Sequence, residues 1–471
     1  MRRTGLAFVL ALCVASFPAA ARTDATAQAK VPSKWLAYGH DPQLTNFVRM
    51  PGLSRTSARR MQLAWHKGLD GPIVASPLYY RGTLIVETEG GSVYALRLSD
   101  GSTRWKRTFG VVSTAACGSW GFSSTGAIDP RLGVLYAIGA DGYLHALSLQ
   151  NGRERKGWPV AITAAHADGE YVWGGLRLLG KRLYVPVASY CDVPGADGHL
   201  ANGRLVAIDV ERRKTVATFD PVRGDGNLGG IWGWGGVSVD PTGRKLFTGT
   251  GNSHVWDLAC SCYFDTAGLA NAMVELTPGL RVIAWNRPKP YLPTGDYDFG
   301  STPLLFRPPG CPRLVAGNSK LGFLHVWNRD RLARGPIYHV PVSDGIAPFV
   351  GAPSYSSRLH LIFESHATVV QAERKVGDGI AAFSVDRHCR FYRRWITSIG
   401  VGEEPPPLIV GDVVFAAGGD AGGFVALDAR TGKYLWRLAT ADATISPPIA
   451  AGGLIVAGDY GGTLRAFAPR T

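Results

Sequence analysis

A short stretch near the C-terminal end decides the fold, and it reads Gly422-Gly423-Phe424-Val425-Ala426-Leu427-Asp428-Ala429-Arg430-Thr431-Gly432-Lys433-Tyr434-Leu435-Trp436. Small and apolar residues alternate up to Asp428, a turn closes at Thr431-Gly432, and a second run ends at Trp436. This pattern predicts a tight β-hairpin. Gly432 is expected in the left-handed conformation, which a residue without a Cβ adopts at little cost. A lone hairpin cannot bury its own apolar face, so partner hairpins are expected elsewhere in the chain.

The same pattern recurs along the chain, so the hairpin is a repeating unit. Its copies number eight, and the last copy ends before its tryptophan. Recurring β units with a glycine and tryptophan signature predict an all-β fold, an eight-bladed β-propeller with tryptophan-docking repeats. The copies occupy residues 90–105, 141–158, 202–209, 272–285, 321–327, 378–395, 422–436 and 461–467.

The missing tryptophan has a counterpart at the other end of the chain. Gln62-Leu63-Ala64-Trp65 has the pattern of a strand that ends in tryptophan, with no hairpin before it. We predict that this strand completes the last blade, so that the ring is closed by N- and C-terminal strands. Closure would remove two exposed sheet edges.

The N-terminal residues predict export. Met1-Arg2-Arg3 precedes an apolar run over residues 6–17 and a small-residue site at Ala19-Ala20-Ala21. Residues 1–21 are therefore predicted to be a signal peptide, which is too short for a membrane anchor. Residues 22–33 are expected to be a disordered lead-in, and residues 34–471 the propeller. The predicted location is periplasmic or secreted.

Composition narrows the classes of partner. The formal net charge is +14, yet the chain has no run of lysine and arginine that would indicate nucleic-acid binding. The net positive charge is explained by solubility alone, or by electrostatic attraction of an acidic partner or an anionic ligand. Export permits disulfides among the cysteines outside the leader, with the pairing left open. The chain has no Cys-x-x-Cys-His motif for covalent haem.

Four stretches interrupt the repeats, at residues 117–124, 189–200, 229–263 and 292–320. Propeller symmetry directs such connections to one axial funnel, so we expect them to share a site. Their chemistry suits a planar cofactor and a hard cation, because an indole face, amide oxygens, carboxylates and an ammonium group occur together. Each of these residues also has a purely structural interpretation, as a packing tryptophan, a turn former or part of a solvated turn. The residues are Trp232, Asn252, Asp296, Asp298, Lys320 and Asp192.

At these positions the chain resembles the pyrroloquinoline quinone (PQQ)-dependent alcohol dehydrogenases. Residues 426–436 are similar to the tryptophan-docking motif of that family. Trp232-Gly233-Trp234 resembles the segment beneath the quinone, and Gly249-Thr250-Gly251-Asn252 resembles a segment with a calcium ligand. Asp296-Tyr297-Asp298 resembles the segment with the catalytic aspartate.

The resemblance implies a role for each candidate residue. Asp298 would be the catalytic base, and Asn252, Asp192 and Asp298 would be metal ligands. Trp232, Lys320 and Cys117 would bind the cofactor, with Cys117 in the region of the cysteine pair that covers the quinone. It would pair there with Cys191. Gly300 stands where lanthanide-using relatives have an extra aspartate, which implies calcium.

The implied function is that of an exported quinoprotein dehydrogenase. It would oxidise an alcohol or polyol with PQQ and Ca²⁺, and pass electrons to a separate soluble acceptor such as a cytochrome c. The alternative is a non-enzymatic propeller that acts as a protein- or ligand-binding scaffold in the cell envelope, because the repeat is shared with the outer-membrane assembly scaffold lipoprotein. A carbohydrate-binding or lyase-type propeller is a third, less favoured reading.

Overall fold

The structure is a computed structural model of the chain. It describes residues 32–115, 117–164, 169–196, 198–289, 297–343, 351–367, 369–371, 374–400, 405–417 and 423–470. The predicted signal peptide and the lead-in up to residue 31 lie outside the described residues. Among the helices that are described, none is long and apolar enough to cross a membrane.

The described chain begins with a segment that lies on the ring. It contains β1 (Lys34–Trp35), β2 (Phe47–Val48), a short helix α1 (Arg55–Ala58) and β3 (Met61–Gly68). Ser54 caps α1, because its side chain accepts a hydrogen bond from the backbone N–H of Ser57.

Eight sheets then form the blades, and their strands follow chain order from the axis outward, except that the outer strand of blade 8 is β3. Blade 1 contains β4 (Leu78–Tyr80), β5 (Thr83–Thr88), β6 (Ser92–Arg97) and β7 (Thr103–Thr108). Blade 2 contains β10 (Ala127–Asp129), β11 (Val134–Ile138), β12 (Tyr143–Ser148) and β13 (Val160–Ala161). Blade 3 contains β14 (Glu170–Tyr171), β15 (Arg177–Leu179), β16 (Arg182–Ser189), β17 (Arg204–Asp209) and β18 (Lys214–Phe219). Blade 4 contains β19 (Ser238–Val239), β20 (Leu246–Gly249), β23 (Met273–Leu276) and β24 (Val282–Asn286). Blade 5 contains β25 (Leu304–Phe306), β26 (Leu314–Ser319), β27 (Phe323–Asn328) and β28 (Tyr338–Pro341). Blade 6 contains β29 (Ser354–Ser356), β30 (Leu361–His366), β33 (Gly379–Val385) and β34 (Phe391–Ser398). Blade 7 contains β35 (Leu408–Val410), β36 (Val413–Ala417), β37 (Phe424–Asp428) and β38 (Tyr434–Leu438). Blade 8 contains β39 (Ile449–Ala451), β40 (Leu454–Gly458) and β41 (Thr463–Pro469).

The connections carry the remaining elements. Among the described residues these include three two-stranded hairpins, β8 (Val112–Thr114) with β9 (Gly118–Trp120), β21 (Val255–Asp257) with β22 (Cys262–Phe264), and β31 (Val369–Gln371) with β32 (Arg374–Val376), and the 3-10 helix Arg329–Arg334.

The N-terminal strands complete the ring, as predicted. β3 pairs antiparallel with β41, from Met61 opposite Pro469 to Gly68 opposite Thr463, and becomes the outer strand of blade 8. β1 adds to β4 of blade 1, and β2 adds parallel to β35 of blade 7. The prediction of an eight-bladed propeller closed by both termini is therefore confirmed.

Tryptophan docking joins neighbouring blades. The indole N–H of Trp395, in the outer strand of blade 6, donates to the carbonyl of Ala429 in blade 7 at 3.0 Å. A Cβ on Gly432 would lie 2.6 Å from the Trp395 ring, so the indole packs directly on the glycine. Trp327 differs from the repeat pattern, because it lies on the third strand of its blade and donates back to Asn286.

Strand directions define two faces of the ring. In each blade the first strand begins, and the antiparallel second strand ends, at the same face of the ring. We call this face the cavity face. The turns between first and second strands, and between third and fourth strands, lie on the opposite face. The first three strands of a blade are largely buried between neighbouring blades, whereas outer strands such as β7 are mostly exposed.

Candidate functional site

A cavity of about 300 Å³ opens on the cavity face at blades 3, 4 and 5. Its walls come from the end of β16 and from connections that precede the first strands or follow the second strands of these blades. Three of the four interrupting stretches, 189–200, 229–263 and 292–320, contribute lining residues, whereas 117–124 contributes none. The lining residues are Trp173, Ala188, Ser189, Cys191, Asp192, Leu228, Gly230, Trp232, Trp234, Gly251, Asn252, Asp298 and Lys320.

Glycines bring the cavity connections close together. The backbone N–H of Gly251 donates to the carbonyl of Gly230 at 2.7 Å. A Cβ on Gly251 would lie 3.0 Å from that carbonyl oxygen and 3.2 Å from the Asp298 carboxylate. Gly233 is equally constrained, because a Cβ there would lie 2.7 Å from the carbonyl oxygen of Gly300. The glycine-rich sequence thus permits three connections to meet around one carboxylate.

Asp298 lies at the centre of this arrangement and is only 4% exposed. Its Oδ2 accepts a hydrogen bond from Nε1 of Trp232 at 2.7 Å, and its Oδ1 lies 3.0 Å from Nζ of Lys320. The backbone also links the two charged residues, since the N–H of Lys320 donates to the carbonyl of Asp298 at 2.9 Å.

Lys320 contacts the indole as well as the carboxylate. Its Nζ lies 4.7 Å from the centroid of the Trp232 ring, within cation–π range. The Lys320 side chain is 15% exposed. Because a buried charge needs a partner to offset its desolvation, the indole, the ammonium group and the carboxylate form one interdependent unit.

Asn252 and Asp192 also line the cavity. The backbone carbonyl of Asn252 accepts from the N–H of Gly229 at 2.7 Å, which joins the connections before and after the first two strands of blade 4. Asp192 is exposed, and its carboxylate accepts a hydrogen bond from the hydroxyl of Ser189. Asp296 lies outside the described residues. Within the part of the chain that is described, no group of three or more His, Cys, Asp or Glu side chains is placed to hold a metal ion.

Cys117 is not in the cavity wall, but it is bonded to a residue that is. It forms a disulfide with Cys191, the pairing that the family resemblance implied. The hydroxyl of Tyr190 donates to the carbonyls of Val112 and Gly118, at 3.2 and 2.8 Å. Two adjacent residues of blade 3 therefore fasten the β8–β9 hairpin beside the cavity.

Sequence reasoning did not assign roles to Trp173, Trp234 and Leu228, which also line the cavity. A signal for Trp173 is present in the sequence. Trp173-Gly174-Gly175 precedes the strand β15 of blade 3 just as Trp234-Gly235-Gly236 precedes β19 of blade 4. A comparison of corresponding connections between blades would have nominated Trp173.

A buried polar network contacts Trp173 through the ring of Tyr171. Glu89 accepts hydrogen bonds from the hydroxyl of Ser123 and the N–H of Gly121, each at 2.7 Å. Ser123 contacts the hydroxyl of Tyr171 at 3.1 Å, and the Tyr171 ring lies 4.6 Å from that of Trp173. Burial raises the pKa of Glu89 to about 7, although the two hydrogen bonds act in the other direction.

Known proteins share this fold. The family described as "Outer membrane protein assembly factor BamB" matches residues 49–185 and 382–471. A quinohemoprotein alcohol dehydrogenase from Pseudomonas putida HK5 is 16% identical, with a TM-score of 0.73 over 93% of this chain and 80% of its own. A europium-containing methanol dehydrogenase is 17% identical, with a TM-score of 0.72 over 93% of this chain and 98% of its own. BamB from Moraxella catarrhalis is 15% identical, with a TM-score of 0.54 over 87% of this chain and 97% of its own. No curated protein matches the chain in sequence.

At these identities the similarity concerns the fold, and the structures that share the blade arrangement include both dehydrogenases and an assembly factor. The dehydrogenases match with higher TM-scores than the assembly factor does. The chain is an eight-bladed propeller whose fold resembles that of the quinohemoprotein alcohol dehydrogenase and the methanol dehydrogenase.

Proposed function

We propose that the chain is a quinoprotein dehydrogenase that oxidises an alcohol or polyol, with PQQ bound in the cavity of blades 3 to 5. The observation that carries the proposal is the unit of Trp232, Asp298 and Lys320. It places a buried carboxylate, an indole and a cation around one space of about 300 Å³. A buried carboxylate held by two donors is an arrangement suited to proton transfer.

The cavity fits a flat, anionic cofactor. Three indoles line it, from Trp173, Trp232 and Trp234, and such surfaces suit a planar ring system. Lys320 supplies a positive charge for carboxylate or quinone oxygens. The volume matches a small tricyclic molecule more closely than a larger dinucleotide.

The cavity offers less to a metal ion. Asp298, Asn252 and Asp192 are oxygen donors of the kind that calcium prefers, but calcium takes about six to eight oxygens. The remaining ligands would have to come from the cofactor and water. We therefore propose that Ca²⁺ binds together with the quinone, and only weakly without it.

The protein's own contribution centres on Asp298. PQQ, when bound, would supply the oxidising power for a hydride-transfer oxidation of the alcohol. The Asp298 carboxylate is the group that would take the hydroxyl proton of the alcohol. Trp232 and Lys320 hold that carboxylate in place from two sides, while Lys320 also offsets negative charge that develops in the cavity.

Electrons would leave to a separate soluble acceptor such as a cytochrome c, since the chain has no covalent haem motif. The leader-like sequence at residues 1–21 supports a periplasmic or secreted location.

A non-enzymatic envelope scaffold is the second candidate, because the matching family is described as an assembly factor. The match omits residues 186–381, however. Trp232, Asn252, Asp298 and Lys320 all belong to this omitted part. The chain thus departs from the scaffold pattern where the cavity is built, which favours the dehydrogenase.

The test is a titration of purified apo-protein with PQQ, with and without Ca²⁺, followed by quinone absorbance and tryptophan fluorescence. We expect stoichiometric binding that Ca²⁺ strengthens, and dye-linked oxidation of alcohols by the loaded protein. Asp298→Asn should bind PQQ but show no turnover. Absence of binding at micromolar PQQ would exclude the quinoprotein and favour the scaffold.

A further inference from the structure

A second concave region lies on the face opposite the cavity. Two adjoining depressions of about 570 and 380 Å³ run across the outer parts of blades 1, 2 and 3. They are formed around the turns of these blades and share Leu132, Ser148, Gln150 and Arg155. We call this region the basic groove. It has no residue in common with the cavity.

Cations dominate the lining of the basic groove, and all of them are exposed. They are Arg81, Arg104, Arg153, Arg155, Lys156 and Arg213. Within the described part of the chain, none of these six forms an ion pair. Nearby basic residues do, since Arg131 pairs with Asp129 and Lys181 pairs with Glu211. The groove therefore keeps its positive charge available, while cations beside it are already paired.

The acidic residue in the lining, Glu154, is bound to His145 and to the backbone and, among the residues that the structure describes, forms no ion pair with the six groove cations. Its Oε2 lies 2.6 Å from Nδ1 of His145, and its Oε1 accepts from the N–H of Ala146 at 2.7 Å. His145 also contacts Asp141 at 2.8 Å. Burial disfavours the charged imidazole, but the hydrogen bonds to both acids outweigh it and raise the pKa of His145 to about 9. At neutral pH, His145 is thus protonated, and the Glu154 carboxylate faces this imidazolium, which it shares with Asp141.

The shape of the groove selects among anionic partners. Its arginines stand beside apolar and aromatic walls that include Tyr80, Tyr136, Trp158 and the 48% exposed Leu132. A flat membrane surface cannot enter depressions of this kind. An extended peptide can, with carboxylates on the guanidinium groups and apolar side chains on the walls. We propose that the basic groove is a docking site for an acidic, extended segment of a partner protein.

The proposal can be tested on the full-length protein with a fluorescein-labelled dodecapeptide of alternating glutamate and tyrosine. Fluorescence anisotropy should show saturable binding at low salt that weakens as salt is added, because exposed charges are screened. Arg155 lines both depressions. We therefore expect Arg155→Glu to weaken binding by about tenfold or more, through loss of one cation and repulsion by a new anion.

Arg430→Glu is the matched control, since Arg430 is an exposed arginine in the corresponding turn of blade 7 on the same face. It changes net charge equally and should leave the peptide affinity within about twofold. Equal losses in the two variants, with unchanged melting temperatures, would overturn the proposal in favour of net charge. Binding to phosphatidylglycerol vesicles or heparin that Arg155→Glu abolishes, without peptide binding, would overturn it in favour of a different polyanion.

Discussion

The indole N–H of Trp232 donates a hydrogen bond to the Asp298 carboxylate at 2.7 Å, so the proposed floor of the cofactor site and the proposed base are physically joined. The sequence suggested two separate roles for these residues. Their contact means that a change at the indole alters the carboxylate as well.

Replacement of Trp232 by phenylalanine should separate the two roles. The variant keeps a flat ring but removes the donor, which favours the protonated form of Asp298. We expect PQQ affinity within a few-fold of the original, and an acidic limb of the kcat/KM profile that moves up by about one pH unit. Trp232→Ala, in contrast, should lose PQQ affinity by about tenfold or more. If the acidic limb of the kcat/KM profile does not move in Trp232→Phe, the hydrogen bond does not set the protonation state of Asp298.

Removal of Lys320 should destabilise the apo-protein. Lys320→Met leaves the buried Asp298 carboxylate without its ion-pair partner, at a cost of about 3 kcal/mol in the free energy of unfolding. Lys320→Met combined with Asp298→Asn should cost less than the sum of the single changes.

Urea unfolding of the two single variants and the double variant measures this coupling. Lys181→Met is the control, because the pair of Lys181 with Glu211 is exposed and should contribute roughly 0–1 kcal/mol. Additive effects at Lys320 and Asp298 would contradict the interdependence inferred for the cavity.

Gly432→Ala tests the docking of tryptophan on the repeat glycine. Gly432 has a φ of 69°, and a Cβ there would lie 2.6 Å from the ring of Trp395. Gly82 has a φ of 78° but no atom within 4 Å of an added Cβ, so Gly82→Ala isolates the backbone cost. We expect a loss of about 1 kcal/mol for Gly82→Ala and about 2–4 kcal/mol for Gly432→Ala. Equal losses in thermal or urea unfolding would mean that the indole moves aside freely.

Glu87 should make stability depend on pH. It is 2% exposed, and burial raises its pKa to about 8, although the hydrogen bond from the N–H of Gly126 acts in the other direction. A carboxyl with a raised pKa stabilises the fold fully below its unfolded pKa of about 4.3, and this contribution is lost as pH rises towards 8.

Glu87→Gln cannot ionise, so its free energy of unfolding should fall less between pH 5 and pH 8 than that of the original protein. The expected difference is about 1–3 kcal/mol, measured by urea unfolding at several pH values. Glu211→Gln, at an exposed position, should keep the original pH dependence. Parallel curves for Glu87→Gln and the original protein would contradict the raised pKa.

Much of the site could be predicted from local sequence, and the remainder could not. Trp232, Asn252, Asp298 and Lys320 each stand in a short motif, before the first strand or after the second strand of a blade, and the cavity brings them together. The hydrogen bond between Trp232 and Asp298 joins residues 66 positions apart, and no local pattern encodes such a contact. The basic groove was hidden for the same reason, because its cations come from three blades and the stretch Arg153-Glu154-Arg155-Lys156 supplies only three of the six.

The sequence by itself determined the repeat, the number of blades and the closure of the ring. These features follow from short-range patterns, namely alternating apolar residues, turns that often carry a glycine, and a recurring tryptophan. Only the tertiary structure decided which side chains meet, that Cys117 is bonded to Cys191, and that the cavity and the basic groove occupy opposite faces. The physical reason is that blade packing sets distances between residues far apart in the chain, whereas propensity and periodicity act only on neighbours.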